Sequence, residues 1–523
     1  MILRRALWIL VVVAFAFGTL YRLVPLVLGP DALAQFFITE DGYLMLTVAR
    51  NLAIGNGLSV SGGAIATNGV QPLATLIYAI PYLVTGGAKT ASLVGIILIA
   101  TAWSVAGVVA VHRFARGVLT SEDGEPLWPL LAAALWFVGP LMLLHTMNGL
   151  ETGLYILAVA MTVTYFGHVT ARGARYTVRE QVIFGSLCGL VFLARNDGAF
   201  LVTALFAVRF LYMVGTRRLS FGAAVAEMIP PGIISLVWAA PWLIHNKVYF
   251  GSIVPISGPA QSLAAEFGAN LDAVPSKLFE TMFTMLPVPG AIEKVLALQI
   301  LTAVIPVAVM VIFLWQLFAR SNPFRVAVLG YTVYALMILG YYGLHFGAQH
   351  FLTRYFAPLS PLLVVAAVWV MRDLSERLFR SRGELVLAGA GSLAIMLSMV
   401  LLGRMLLPGV KEQGHFHVVG WVSENVPEEA WVGAVQTGTL GYWHDRTINL
   451  DGKVNPAALA ARRAVGNVLA YVVDSEIDYI ADWKGVAAWG TQTDGGFDQV
   501  FEVIVNDRDG NLAVLKRREA AGG

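Results

Sequence analysis

Charge is scarce in this chain. Of its 523 residues only 13% are Asp, Glu, Lys or Arg, against 57% hydrophobic, and the mean hydropathy is +0.71. Ordinary soluble domains carry about one quarter charged residues, so a soluble globular protein is excluded. The 35 basic and 33 acidic residues leave a formal charge of +2, which offers no basic surface for a nucleic-acid partner. Cysteine is nearly absent too. Cys188 stands alone in the apolar run GSLCGLVFLA, so no intramolecular disulfide forms and a small buried thiol is expected.

Long apolar runs are what the chain has in abundance. A bilayer core takes roughly 20 apolar residues per helix. Runs of that order lie near residues 6–28, 91–112, 127–147, 149–169, 180–194, 197–214, 222–244, 296–318, 326–345, 355–371 and 384–406. They predict an all-α polytopic membrane domain over residues 1–407 with about 11 transmembrane helices. The first run follows Arg4 and Arg5 and exceeds a secretory signal core of roughly 7 to 15 residues, so it reads as an uncleaved anchor with residue 1 in the cytoplasm. Only Arg22 and Arg209 are noted inside spans, where snorkelling accounts for them.

One further apolar segment, Gln71 to Gly87, is 17 residues long and contains Pro72 and Pro81. Counting it as a span would move Arg113, Arg172, Arg217, Arg320, Arg380 and their neighbours to the outside, against the positive-inside bias. It is therefore placed at the outer interface. The resulting topology is N-in/C-out, with residues 29–90 as a first outward loop and 245–295 as a second. Glu151, Arg195, Asp197, His245, Lys247, His350 and Arg354 then gather at the outer ends of the helices.

Beyond Arg404 the composition changes, and residues 411–523 hold no run able to cross a membrane. Short β-rich runs at Trp431–Gln436, Ile477–Ala481, Val500–Val505 and Ala513–Lys516 alternate with helical stretches at His417–Asn425 and Pro456–Val473, which predicts an extracytoplasmic α/β domain. Lacking a glycine-rich phosphate loop and any His or Cys metal spacing, this domain reads as a lid or docking surface.

The candidate chemistry sits in the first loop, where Glu40 and Asp41 begin an amphipathic helix carrying Tyr43, Leu44, Leu46, Thr47, Val48 and Leu52. Acids in a first turn are favoured by the helix dipole alone, so the pair by itself is equally a helix start. Asn68 and Gln71 carry amides suited to sugar hydroxyls, although Thr67-Asn68-Gly69 also has the composition of a turn. Tyr43, Trp242, Tyr249 and Trp443 could stack on a sugar ring, a role that interfacial aromatics do not require.

Taken in order, these segments resemble the GT-C superfamily of membrane glycosyltransferases. The resemblance is carried by the acid pair, the A-R-N-L and G-x-G-L segments, T-N-G-x-x-P-L, Asn148-Gly149-Leu150-Glu151-Thr152, Ala194-Arg195-Asn196-Asp197-Gly198, Tyr249-Phe250-Gly251 with Pro255, and Arg354-Tyr355 with Pro358. It runs from about residue 1 to 485, including W-V-x-E-N-x-P and Leu450-Asp451-Gly452, and the chain is similar to bacterial members such as the terminal arabinofuranosyltransferases of actinobacteria and their relatives. Two departures stand out. The pair is Glu-Asp where many relatives carry Asp-Asp, which leaves open which acid is the base, and Asn196 replaces the usual proline.

The resemblance implies a transferase that moves a sugar, hexosyl or pentosyl, from a polyprenyl-phosphate carrier to an acceptor hydroxyl of a cell-envelope glycan, lipid or protein, with inversion, on the outer face of a bacterial inner membrane. Asp41 is then the expected proton acceptor, with Glu40 orienting the acceptor or sharing that task; repulsion between them would raise one pKa. Arg354, Lys247 and Arg195, assisted by His245 and His350, would hold the lipid phosphate. Asn68, Gln71, Glu151 and Tyr43 would meet the sugars. A divalent cation, Mg or Mn, on Asp41 and Glu40 is left open. The rival readings are a lipid-linked sugar transporter or flippase, and a non-catalytic envelope assembly scaffold.

Overall fold

The computed structural model describes residues 2–119, 127–263, 265–285, 295–347, 349–407 and 414–519. Every apolar run becomes helical: Ile2–Leu23, Lys89–Leu119, the pair Leu127–Val138 and Pro140–Met147, Thr152–Ala171, Val178–Ala194, Gly198–Gly215, Phe221–Phe250, Leu296–Ala319, Arg325–Leu344, Ser360–Phe379 and Gly383–Leu406. Among the described residues, 8 stretches are long and apolar enough to cross a membrane, or 9 when the pair bent by 61° counts as one. The bend falls where Pro140 cannot donate to the helical ladder. The difference from about eleven lies in Val178–Ala194, only 17 residues long, and in Gln349–Leu406, a 58-residue stretch that contains two long helices, Ser360–Phe379 and Gly383–Leu406.

Burial separates central from peripheral helices. The apolar window of Thr152–Ala171 is 72% buried, whereas that of Leu296–Ala319 is only 17% buried. A helix apolar on all sides and open on most of them needs a hydrocarbon solvent, so the chain is a multi-pass membrane protein. The two arginines within spans do not snorkel. Arg22 is fully buried and donates to the carbonyls of Gly18 (2.9 Å) and Phe137 (3.1 Å). Arg209 is buried against Glu227, a carboxylate hidden in the 222–244 run, at 3.0 Å.

The first loop is structured throughout. Helices Pro30–Gln35, Glu40–Ala53 and Pro72–Val84 frame a small antiparallel pair, β1 (Ser59–Val60) with β2 (Ile65–Ala66). Pro72–Val84 buries Tyr78 and Tyr82 and leaves Leu76, Ile80 and Leu83 exposed. The second loop begins later than position 245, because the helix Phe221–Phe250 runs on to Gly251. It carries the helices Ser257–Ser262 and Val274–Phe283, and its residues 286–294 lie outside the described residues.

The C-terminal domain is a mixed five-stranded sheet in the order β4-β3-β5-β7-β6, built from β3 (Val432–Ala434), β4 (Thr447–Asn449), β5 (Tyr479–Asp482), β6 (Phe501–Asp507) and β7 (Leu512–Arg517). β3 runs parallel to β4 and β5, and β7 antiparallel to β5 and β6. The short β4 escaped the sequence pattern, and the expected helix Pro456–Val473 is two helices, Pro456–Val465 and Leu469–Val473. The domain sits directly on the first loop. Ser61 Oγ donates to the Thr447 carbonyl at 2.6 Å, Tyr82 bonds Tyr442 at 3.0 Å, and Asp445 accepts Arg50 and Lys89 at 3.1 and 3.2 Å.

Candidate active site

The helix Glu40–Ala53 starts where Thr39 caps it, its hydroxyl accepting from the Gly42 amide at 3.3 Å. The same residue grips the Asn148 carbonyl through its amide (3.1 Å) and its hydroxyl (3.2 Å). Gly42 lets the two backbones meet, since a Cβ there would lie 2.2 Å from the Asn148 oxygen. The Asn148–Thr152 turn and the acid pair are thus one packed unit. Successive helical residues point about 100° apart. Glu40 and Asp41 therefore face different surroundings.

Asp41 faces a cavity of about 350 Å³, lined also by Gln71, Glu151, Arg195, Asp197, Tyr342, Phe351, Arg354, Tyr355 and Lys453. Its carboxylate lies 2.8 Å from Arg354 Nη1 and 3.6 Å from Lys453 Nζ. Burial alone would raise its pKa, but Lys453 and Arg354 more than offset that and hold it below the usual carboxylate value. This corrects the expectation of a carboxyl raised by its acidic neighbour. Lys453 is also held by Asp451 at 3.3 Å, and although burial would lower its pKa, Asp41 and Asp451 raise it on balance.

Deeper in the wall Arg195 is 2% exposed. It pairs with Asp197 at 2.6 Å and Glu151 at 3.6 Å, bonds the Tyr342 hydroxyl at 3.1 Å, and lies over the Tyr155 and Tyr355 rings at 5.0 and 4.8 Å. Even so, its Nη1 is buried without a partner, as are Asp197 Oδ1, Gln71 Oε1 and Arg354 Nε. Asn196 Oδ1 is a fifth, and since native interiors rarely leave such groups unpaired, five among the described residues on one cavity wall point to a polar ligand.

Glu40 does not share this site. One carboxylate oxygen accepts the Gly438 amide and the other accepts the amide (2.8 Å) and hydroxyl (2.5 Å) of Thr439, tying the first loop to the C-terminal domain. The expected catalytic role for Glu40 is corrected accordingly. Asn68 is corrected likewise: its amide donates to Asn246 and its oxygen accepts from the Ile256 amide, both at 3.1 Å, clamping the first loop to the helix Phe221–Phe250 and the loop that follows it. Tyr43 is fully buried, donates to the Ala34 carbonyl at 2.6 Å and meets Tyr442, so it stacks on no sugar. Lys247 is exposed and caps its own helix through the Gly251 carbonyl at 3.0 Å, and His245 stacks on Trp242; neither lines the cavity. His350 is exposed and packs on Phe351 of the cavity wall at 4.0 Å. Arg354, Arg195, Gln71 and Glu151 do line the cavity.

A divalent cation does not fit this donor set. Asp41 is flanked by two cations, Glu40 is committed to backbone donors, and the described residues hold no group of three His, Cys, Asp or Glu suited to a metal.

Lys453 was missed by sequence reasoning. It follows Leu450-Asp451-Gly452, a segment noted only for its resemblance, and nothing local marks it as facing a site built 400 residues earlier. A signal did exist in Gly69 of the T-N-G turn. A Cβ at that position would lie 2.0 Å from the Lys453 carbonyl oxygen, so the turn is shaped to seat this loop.

With this geometry the chain has the fold of the GT-C glycosyltransferases. It is similar to ArnT from Cupriavidus metallidurans bound to undecaprenyl phosphate, at 12% identity and a TM-score of 0.59 over 98% of this chain and 99% of that one. It is also similar to the archaeal oligosaccharyltransferase AglB from Archaeoglobus fulgidus in complex with an inhibitory peptide and a dolichol-phosphate, at 12% identity and a TM-score of 0.58 over 94% of this chain and 72% of that one. Residues 408–510 match a family described as Domain of unknown function (DUF8728). No curated protein matches the chain by sequence.

Proposed function

We propose that this protein transfers a sugar from a polyprenyl-phosphate carrier to an acceptor hydroxyl, with inversion, in the cavity beneath the C-terminal domain. The observation that carries the reading is one carboxylate, Asp41, held between Arg354 and Lys453 beside the uncommitted guanidinium nitrogen of Arg195. A proton acceptor and anion receptors share one wall, as displacement of a phosphate requires. The fold relatives bound to undecaprenyl phosphate and dolichol-phosphate support a lipid phosphate as leaving group here.

In the proposed step the acceptor oxygen attacks the anomeric carbon as the bond from that carbon to the phosphate oxygen breaks. The electron pair leaves with the lipid phosphate, and the hydroxyl proton passes to Asp41. Before donor binding, Arg354 and Lys453 make Asp41 a weak base. A phosphate drawing on the same two cations would weaken their hold, and burial would then make the carboxylate more basic as the donor is seated. Among the described residues the cavity wall holds two further carboxylates, Glu151 and Asp197, and both pair with the buried Arg195, which favours single displacement and hence inversion.

Arginine-rich connectors on the opposite side support a cavity and a C-terminal domain that face out of a bacterial inner membrane. Pro72–Val84, with its exposed apolar face, would then lie in the outer leaflet beside the donor. The acceptor is a cell-envelope glycan, lipid or protein. Replacing Asp41 with Asn tests the reading: transfer from a polyprenyl-phosphate sugar should be lost while the fold persists, and unchanged transfer would overturn it.

A further inference from the structure

A second cavity, of about 420 Å³, lies wholly within the C-terminal domain. Its polar wall is made by Asp451, Arg462, Asn467, Gln492 and Asp494, and Trp489 contributes a half-buried indole. Several of these groups are already arranged. Arg462 donates to the Asp451 carbonyl at 2.5 Å, Asn467 donates to Asp494 at 3.2 Å, and Trp489 is steadied edge-on by Phe497 at 6.3 Å. The half-buried Trp489 indole N–H and the exposed Gln492 side-chain amide make no hydrogen bond to another described residue and are open to solvent.

An aromatic face beside an amide, a guanidinium and two carboxylates matches the two sides of a pyranose or furanose ring. The ring's C–H face rests on the indole, and its hydroxyls both donate and accept. Charge narrows the class. With Asp451 paired to Lys453, the lining leaves Asp494 against Arg462 and is near neutral, which suits an uncharged, polyhydroxylated ligand better than an anionic polymer.

The geometry points to a neutral-saccharide subsite in this domain. Its position suggests which saccharide. Asp451 lines this cavity and its carboxylate holds Lys453 at 3.3 Å, and Lys453 reaches Asp41 at 3.6 Å, so the two cavities are linked through these side chains. A second unit of a glycan acceptor would lie in this linked cavity. Naming it an acceptor unit rests on the proposed transferase activity; the binding does not.

Saturation-transfer NMR on the full-length protein in lipid nanodiscs tests this with neutral trisaccharides of arabinose, mannose and glucose, and with trigalacturonate as the anionic counterpart. At least one neutral trisaccharide should bind, about tenfold more weakly to Trp489→Ala and about fivefold more weakly to Gln492→Ala, in keeping with the loss of a stacked face and of one hydrogen bond. Asp41→Asn should leave this binding in place. Should Trp489→Ala fail to fold, Gln492→Ala decides alone, because that side chain is exposed. Absence of binding by all three neutral probes, equal binding of trigalacturonate, or binding indifferent to the variants overturns the subsite. Loss of sugar transfer in the wild type with groove binding intact would instead overturn the transferase reading and leave the subsite standing.

Discussion

Replacing Glu40 with Ala should loosen the C-terminal domain while sparing the chemistry. The carboxylate accepts three hydrogen bonds, from the amides of Gly438 and Thr439 and from the Thr439 hydroxyl, and both partner residues are buried. Its removal strands two buried amide donors. At roughly 1 kcal/mol each, after water has partly replaced the lost acceptor, the local cost is about 2 kcal/mol, or about thirtyfold in the opening equilibrium. Hydrogen exchange of the full-length protein reads this directly: the Gly438 and Thr439 amides should exchange about thirtyfold faster. Turnover should fall less than about tenfold, because the Ser61, Tyr82 and Asp445 contacts across the same interface remain. Unchanged exchange together with loss of transfer as complete as in Asp41→Asn would refute this, since Glu40 would then be acting on substrate.

Lys453→Met should raise the donor KM roughly tenfold or more through loss of a charged phosphate contact. It should also move the acid limb of the pH–rate profile upward: Lys453 depresses the Asp41 pKa, so without it the carboxylate protonates at higher pH. An acid limb moving downward would contradict this electrostatic account. Arg195→Gln leaves Asp197 and Glu151 without their buried counter-charge, and thermal unfolding should show a loss of about 3–5 kcal/mol that adding Asp197→Asn partly restores. Unchanged stability in the single variant would mean that the arginine is not holding the wall together.

The helical framework was legible because membrane spans advertise themselves as apolar runs, and each run became a helix. The acid pair was legible too, but not the division of labour within it. Two adjacent helical acids look alike in sequence, and only the docking of a distant domain assigns Glu40 to an interface and Asp41 to a cavity. Arg354, Arg195, Gln71 and Glu151 were found through short motifs that reflect local backbone shape. Lys453 was not, because it arrives from another domain on a loop with no charge pattern of its own. Glu227 was hidden for a different reason, since a single acid in a long apolar stretch barely lowers its hydropathy, and its partner Arg209 lies 18 residues away. Lys247, His245 and Asn68 were overread. Proximity to a helix end or a turn says that a polar group is near a surface, but not which cavity it faces.

Sugar transfer by the purified Asp41→Asn variant in lipid nanodiscs bears most directly on the whole account. The substrate is a labelled pool of polyprenyl-phosphate sugars, and donor binding is measured alongside. Loss of the proton acceptor should slow transfer at least about a hundredfold. Donor binding should persist or tighten, because Arg354 and Lys453 no longer have a carboxylate to neutralise. Transfer at the wild-type rate would contradict the account, for the cavity would then have no need of the carboxylate its two cations surround.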